Sequence, residues 1–172
     1  MALSVRRSPK LPAPVRGALA LGSGERVLAW TVEQASDTHV VATNHHLYAV
    51  SAAGERVLAR PWHEVDAGTW SAELTQLTVT FVDGGRPGQW TLGDGSLLPE
   101  TVRERVQASV VLAQLVDLGG RRRARAVIRQ DLGGGGLVEQ VVLGRGARAD
   151  DPEMLAATEQ ALAYLREQVG LG

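Results

Sequence analysis

The chain predicts an α+β protein: an antiparallel β barrel or sandwich of about seven strands capped by a helix, with a C-terminal β-hairpin and a second helix appended. Three observations lead there. Between Arg26 and Leu92, short runs rich in β-branched and aromatic residues recur at even spacing, with Gly, Asn and Asp at the joints. The stretch "LLPETVRERVQASVVLAQLVDLGG" then changes to helical spacing. A second helical stretch, "ADDPEMLAATEQALAYLREQVG", ends the chain.

Residues 1–16 read as a flexible arm, since Pro9, Pro12 and Pro14 interrupt a positively charged segment without periodicity. The strand series follows within residues 17–118. "RVLAWTVE" starts at Arg26 and turns at "ASDT", and "HVVAT" starts at His39 and turns at "NH". "HLYAVS" starts at His46 and is closed by "AAGE", after which "RVLARPW" starts at Arg56 and the short "GTWSAE" follows. "QLTVTFVD" sets Leu77, Val79 and Phe81 on one face against Gln76, Thr78 and Thr80 on the other. "DGGRPG" is a turn, and "QWTL" ends the series.

The first helix is expected to run from Pro99 to a stop at Gly119, with Glu100 at its positive dipole end and Val102, Val106, Val110 and Ala113 on one face. Residues 119–172 form the appendage. "RARAVIRQ" and "LVEQVVLG" are strands joined across "DLGGGG". Asp151 caps the second helix, Pro152 takes its first position, and Leu155, Leu162, Leu165 and Val169 form its seam. That seam packs on the hairpin, on the first helix or on a second copy of the chain.

The totals exclude several function classes. There is no cysteine, hence no disulfide framework, cysteine nucleophile or thiolate metal site. A net charge of −1 gives no global attraction to nucleic acid or anionic membrane. The N-terminal prolines stand where a signal core would lie, and no apolar run is long enough for a span, so a cytoplasmic protein is expected. A single lysine against 17 arginines is the imprint of a GC-rich, bacterial genome.

The phrase "VVATNHHLYAVSAAGERVLARPWHEVDAGTW" has a strand leading to a Thr-Asn turn, a strand carrying "LYAV", a Gly-Glu turn and a "W-x-E-V" step. Together with the order of strands then helix, it resembles pleckstrin-homology-like domains, including bacterial and GRAM-type versions, over about Ala18 to Leu118. The resemblance implies two near-orthogonal sheets plugged by a helix, and a binding or scaffolding module. Lipid-binding members place a basic cluster between the first two strands. Here that loop is "QASDT", Gln34–Thr38, with one acid and no base, so the resemblance does not extend to phosphoinositide binding.

Candidate chemistry is sparse. In "PWHEVD", strand geometry sends His63 away from Glu64 and Asp66, so the segment reads as a strand end with Trp62 in the core. "NHH", Asn44–His46, reads as a turn rather than a metal site completed by His39 or His63. "LGRGARADD" has dinucleotide-turn spacing, but Asp150 and Asp151 would repel a pyrophosphate and no second parallel strand follows. The four glycines 133–136 lack the Lys-Ser or Lys-Thr of a P-loop.

Two features remain as binding candidates. Arg121, Arg122, Arg123, Arg125 and Arg129 lie close together, and odd numbering puts Arg123, Arg125 and Arg129 on one strand face as a stripe for phosphates or acidic partners. Trp70, in the irregular "AGTWSA", is the tryptophan expected to remain partly exposed as a protein-binding anchor. The expected function is a non-enzymatic intracellular adaptor or regulatory module that binds a protein partner, with no cofactor and no metal. The alternative is a nucleic-acid or phosphate ligand held by the arginine-rich hairpin.

Overall fold

The computed structural model describes residues 9–171, and the first eight residues of the expected arm lie outside that range. The runs "HVVAT" and "HLYAV" become β2 (His39–Thr43) and β3 (His46–Val50), the central strands of a first antiparallel sheet. They are flanked by β1 (Val27–Val32) and β4 (Arg56–Pro61), in the order β1-β2-β3-β4. Val40, Ala42, Leu47 and Ala49 enter the main core, whereas Val41, Tyr48 and Val50 point to the opposite face. Strands that are apolar on both faces need a cover on each. On the outer face the cover is α1 (Ala13–Leu19), whose Val15 and Leu19, one helical turn apart, pack on Val41, Tyr48 and Val50.

That helix corrects the expectation of an arm running to residue 16. Pro14 sits in the first turn, where its missing N–H costs nothing, and the Pro9 carbonyl accepts a bond from Trp30 Nε1 at 3.0 Å.

A second antiparallel sheet follows, β5 (Val65–Ser71), β6 (Gln76–Phe81) and β7 (Gly88–Thr91), in the order β5-β6-β7. Leu77, Val79 and Phe81 face inward, as their alternation predicts. The two sheets share one core with α2 (Leu98–Ser109), which contributes Leu98, Val102 and Val106. They remain separate hydrogen-bonded ladders and do not close into a single seven-stranded barrel. Between them, Trp62–Glu64 forms a 3-10 turn rather than the expected strand end. Trp62 is fully buried there and donates from Nε1 to the Thr43 carbonyl at 2.9 Å.

The larger correction concerns the first helix, which stops at Ser109 rather than continuing to residue 118. Residues Val110–Asp117 form β8, which pairs antiparallel with β9 (Arg123–Gln130), and β9 pairs with β10 (Leu137–Leu143). The expected hairpin is therefore two strands of a three-stranded sheet, in the order β10-β9-β8. Two β-branched valines follow Ser109, and such residues lose rotamer freedom in a helix but fit a pleated strand. The ladder to β9 then satisfies the backbone that a longer helix would have paired internally.

Ala124, Ala126 and Ile128, on one face of β9, pack with Val116 on α3 (Pro152–Gln168). Asp151 caps α3, accepting from the Glu153 and Met154 backbone N–H groups. The buried stripe is Met154, Thr158, Ala161 and Leu165, and Leu155, expected in the seam, is 56% exposed. Leu162, Leu165 and Val169 pack there as expected, and only at the start of the helix does Met154 take the place of Leu155.

The opposite face of β9 joins the two parts of the chain. Arg129 has 0% exposure. Its Nη1 donates to the Val65 carbonyl at 2.8 Å, to Ser109 Oγ at 3.1 Å and to the Trp62 carbonyl at 3.4 Å. Its Nη2 lies 3.7 Å from Asp66 Oδ1. One guanidinium thus ties β9 to the 3-10 turn, to the start of β5 and to the end of α2. Arg129→Ala strips these acceptors of their donor and leaves Asp66 with Arg125 alone, so it is expected to cost about 3–5 kcal/mol. The urea midpoint should fall by the corresponding amount at unchanged m-value. A loss below about 1 kcal/mol, that of one ordinary hydrogen bond, would contradict the clamp.

Candidate functional site

The arginine cluster does not form an open stripe. Arg123, Arg125 and Arg129 do share a face of β9, but that face is turned toward the first part of the chain. Arg125 bonds Asp66, Arg129 is buried, and Arg123 Nε is held by Asp117 Oδ2 at 2.9 Å. Arg122 bonds Asp151 through Nε at 2.9 Å and Nη2 at 3.1 Å, and reaches Glu153 at 2.6 Å. Among the described residues, Arg121 is the one member of the five without a carboxylate partner. Cations already bonded to carboxylates offer a phosphate little, because binding it would break the existing pair. Burial pushes the Arg129 pKa below the ordinary arginine value, Asp66 partly offsets this, and the neighbouring Arg125 adds to the depression.

The histidines are scattered among structural tasks. His63 Nδ1 lies 3.7 Å from Asp131 Oδ1 across the β9–β10 turn, and the His45 ring lies against Gly133 of that turn. Among the described residues no group of three or more His, Cys, Asp or Glu side chains is arranged to hold a metal ion.

The tightest polar cluster is one that sequence reading missed. Glu25 has a side chain 2% exposed. Its Oε1 accepts from Thr43 Oγ1 at 2.6 Å, His46 Nδ1 at 2.9 Å and Tyr48 OH at 3.0 Å. Its Oε2 accepts from the Gly22 N–H at 3.0 Å. Burial alone would raise its pKa, but the donors Thr43, Gly22, His46 and Tyr48 outweigh that and hold the carboxyl at about 2. A general base needs a pKa near the working pH, and that of Glu25 lies far below it. It is a staple that binds the segment before β1 to the β2–β3 turn, where Asn44 accepts from the Arg26 N–H and donates to the Gly24 carbonyl.

The open feature is a groove of about 970 Å³ between β5 and α2. Gly68 makes its floor possible, since a Cβ there would stand 2.7 Å from Val102 Cγ1. Without one, α2 lies directly on the strand. Gly68 pairs with Val79 and Trp70 with Leu77, so both share the core-facing side of β5, and Trp70 emerges beyond the helix at 37% exposure. Glu100, Arg103, Glu104 and Gln107 on α2 form the facing wall, and Asp94 with Ser96 closes one end. Three of the four charged lining residues are acidic, which gives the groove a negative field. β5 stands at the end of its sheet order, so among the described residues no strand pairs with its outer edge.

Of the residues singled out from sequence, Trp70 lies in this groove and the five arginines do not. Of the other wall, the sequence singles out Glu100 alone, as a charge at the positive dipole end of the helix. No helix among the described residues is long and apolar enough to cross a membrane. Comparisons with protein-family models, with curated proteins and with solved structures find no match to this chain.

The Glu25 staple carries a pH signature. Its folded pKa of about 2 lies below the ordinary 4.5, so its contribution is fully present above pH 4.5 and is lost as pH falls toward 2. That difference corresponds to roughly 3 kcal/mol. Denaturation midpoints measured down this range should fall for the native chain. Glu25→Gln should be less stable at neutral pH and lose this part of the fall, and an unchanged acid profile would contradict the assignment.

Proposed function

We propose that the first part of this chain is a pleckstrin-homology-like, non-enzymatic interaction module, and that it binds an extended, basic segment of a protein partner in the β5–α2 groove. The observation that carries the reading is the coincidence of an unpaired strand edge, a half-exposed tryptophan and an acidic wall in one groove. An unpaired edge offers main-chain hydrogen bonds to an added strand, whose alternate side chains then enter the groove. Trp70 supplies an aromatic anchor, and an arginine or lysine of the partner placed over its ring gains a cation–π contact. Glu100 and Asp94 favour the same charge, while Glu104 is paired with Arg105.

Two antiparallel sheets sharing a core with one helix laid across it support the pleckstrin-homology-like reading. The alternative, phosphate or nucleic-acid binding through Arg121–Arg129, has less support, because four of the five arginines are committed to bonds within the chain.

Panning a displayed peptide library on the immobilised full chain should recover extended sequences enriched in Arg or Lys. Trp70→Ala should weaken the recovered peptides at least about tenfold, about 1.4 kcal/mol, measured well below the melting temperature of the variant. Gly68→Ala, which crowds Val102, should weaken them too, and should lower stability as well. Peptides indifferent to Trp70→Ala, or a preference for acidic sequences, would contradict the reading.

A further inference from the structure

We propose that β8 is a self-association edge, pairing antiparallel with β8 of a second copy to join two three-stranded sheets into one. The evidence is the chemistry of this edge against that of every other. β4 carries Arg56, Arg60 and Pro61, β10 carries Glu139 bonded to Arg166, and β5 is the edge assigned above to the groove ligand. β7 has four residues. β1 is uncharged, but the segment before α1 runs against it, with the Pro9 carbonyl bonded to Trp30. Charge, proline, shortness and cover are the means by which a sheet edge avoids pairing with other chains. From Leu112 to Val116, β8 has neither charge nor proline, and its one charge, Asp117, is bonded to Arg123.

The bulge at Val111 is confined to the start of the strand, and the ladder with β9 is regular from Leu112 to Asp117. Leu115 is 62% exposed on the face it shares with Arg125, and Tyr164 of α3 is 54% exposed on the opposite face of the sheet. Along α3 runs a groove of about 450 Å³ lined by Gln114, Leu115, Val116, Ala157, Gln160, Ala161 and Tyr164, without a charged residue. Such neutrality identifies the occupant. A two-fold contact brings a surface against its own copy, so a charged edge repels itself and an uncharged apolar edge does not. The groove beside α3 then receives side chains of the incoming strand near Tyr164, and Leu115 leaves water on the other face of the joined sheet.

Sedimentation equilibrium on the full chain should give the mass of two copies, dissociating on dilution. Leu115→Lys and Tyr164→Lys should each raise the dissociation constant at least tenfold while leaving the circular dichroism spectrum unchanged, since both side chains are exposed. Gln114→Lys, also on the exposed edge, serves as the β8 variant if Leu115→Lys melts early. A monomer at every concentration overturns the proposal, as does a dimer that either the β8 variant or Tyr164→Lys leaves untouched.

Discussion

A buried guanidinium governs the arrangement of this molecule. Arg129 is charged at any ordinary pH, and removing it from water is tolerable only where acceptors surround it. Here they come from two distant stretches of chain: the turn that leads into β5 with the first residue of β5, and the last residue of α2. The nearest anion is Asp66, the residue left unpaired where the β5–β6 register shifts between Val65 and Ala67. A bulge redirects one side chain out of the ladder, and this one directs a carboxylate to Arg125 and Arg129. The end of α2 fits the same constraint, since Ser109 must stop there for its hydroxyl to reach Nη1 while also donating to the Val106 carbonyl.

The same constraint redirects the functional reading. Once β9 turns its arginines onto β5 and the α3 cap takes Arg122, the cationic hairpin becomes internal wiring. What stays open on β5 is its other end, where Gly68 admits α2 and Trp70 projects past it. One strand thus serves as anchor at Val65 and Asp66 and as groove wall at Gly68 and Trp70. A ligand in the groove would lie only a few residues from the clamp, so occupancy and the joint between the two parts of the chain are physically adjacent.

The sequence was informative where local periodicity and burial agree. β6 alternates inward and outward as "QLTVTF" suggests, and Trp62 and Trp70 divide into core and partly exposed positions as their contexts imply. It was misleading where one stretch satisfies two periods. "VRERVQASVVLAQLV" keeps helical spacing past Ser109, and only the ladder to β9, formed after the chain reverses, decides for a strand. It was silent where a residue's role is set by distant partners. Arg129 finds its acceptors 64 and 67 positions away at Val65 and Trp62, and Glu25 finds its donors 18 to 23 positions away at Thr43, His46 and Tyr48. Charge alone made the first look like surface and the second like loop.

The most direct test of the clamp uses the placement of the tryptophans. Trp30, Trp62, Trp70 and Trp90 all precede α2, so tryptophan fluorescence reports the first part of the chain. The backbone amides of Ala126 and Ile128, followed by NMR in the same urea titration, report the third sheet. If Arg129 binds the two parts into one cooperative unit, the two transitions coincide in midpoint and slope. Two separate transitions in the native chain would show that the parts unfold independently and that the buried arginine does not join them.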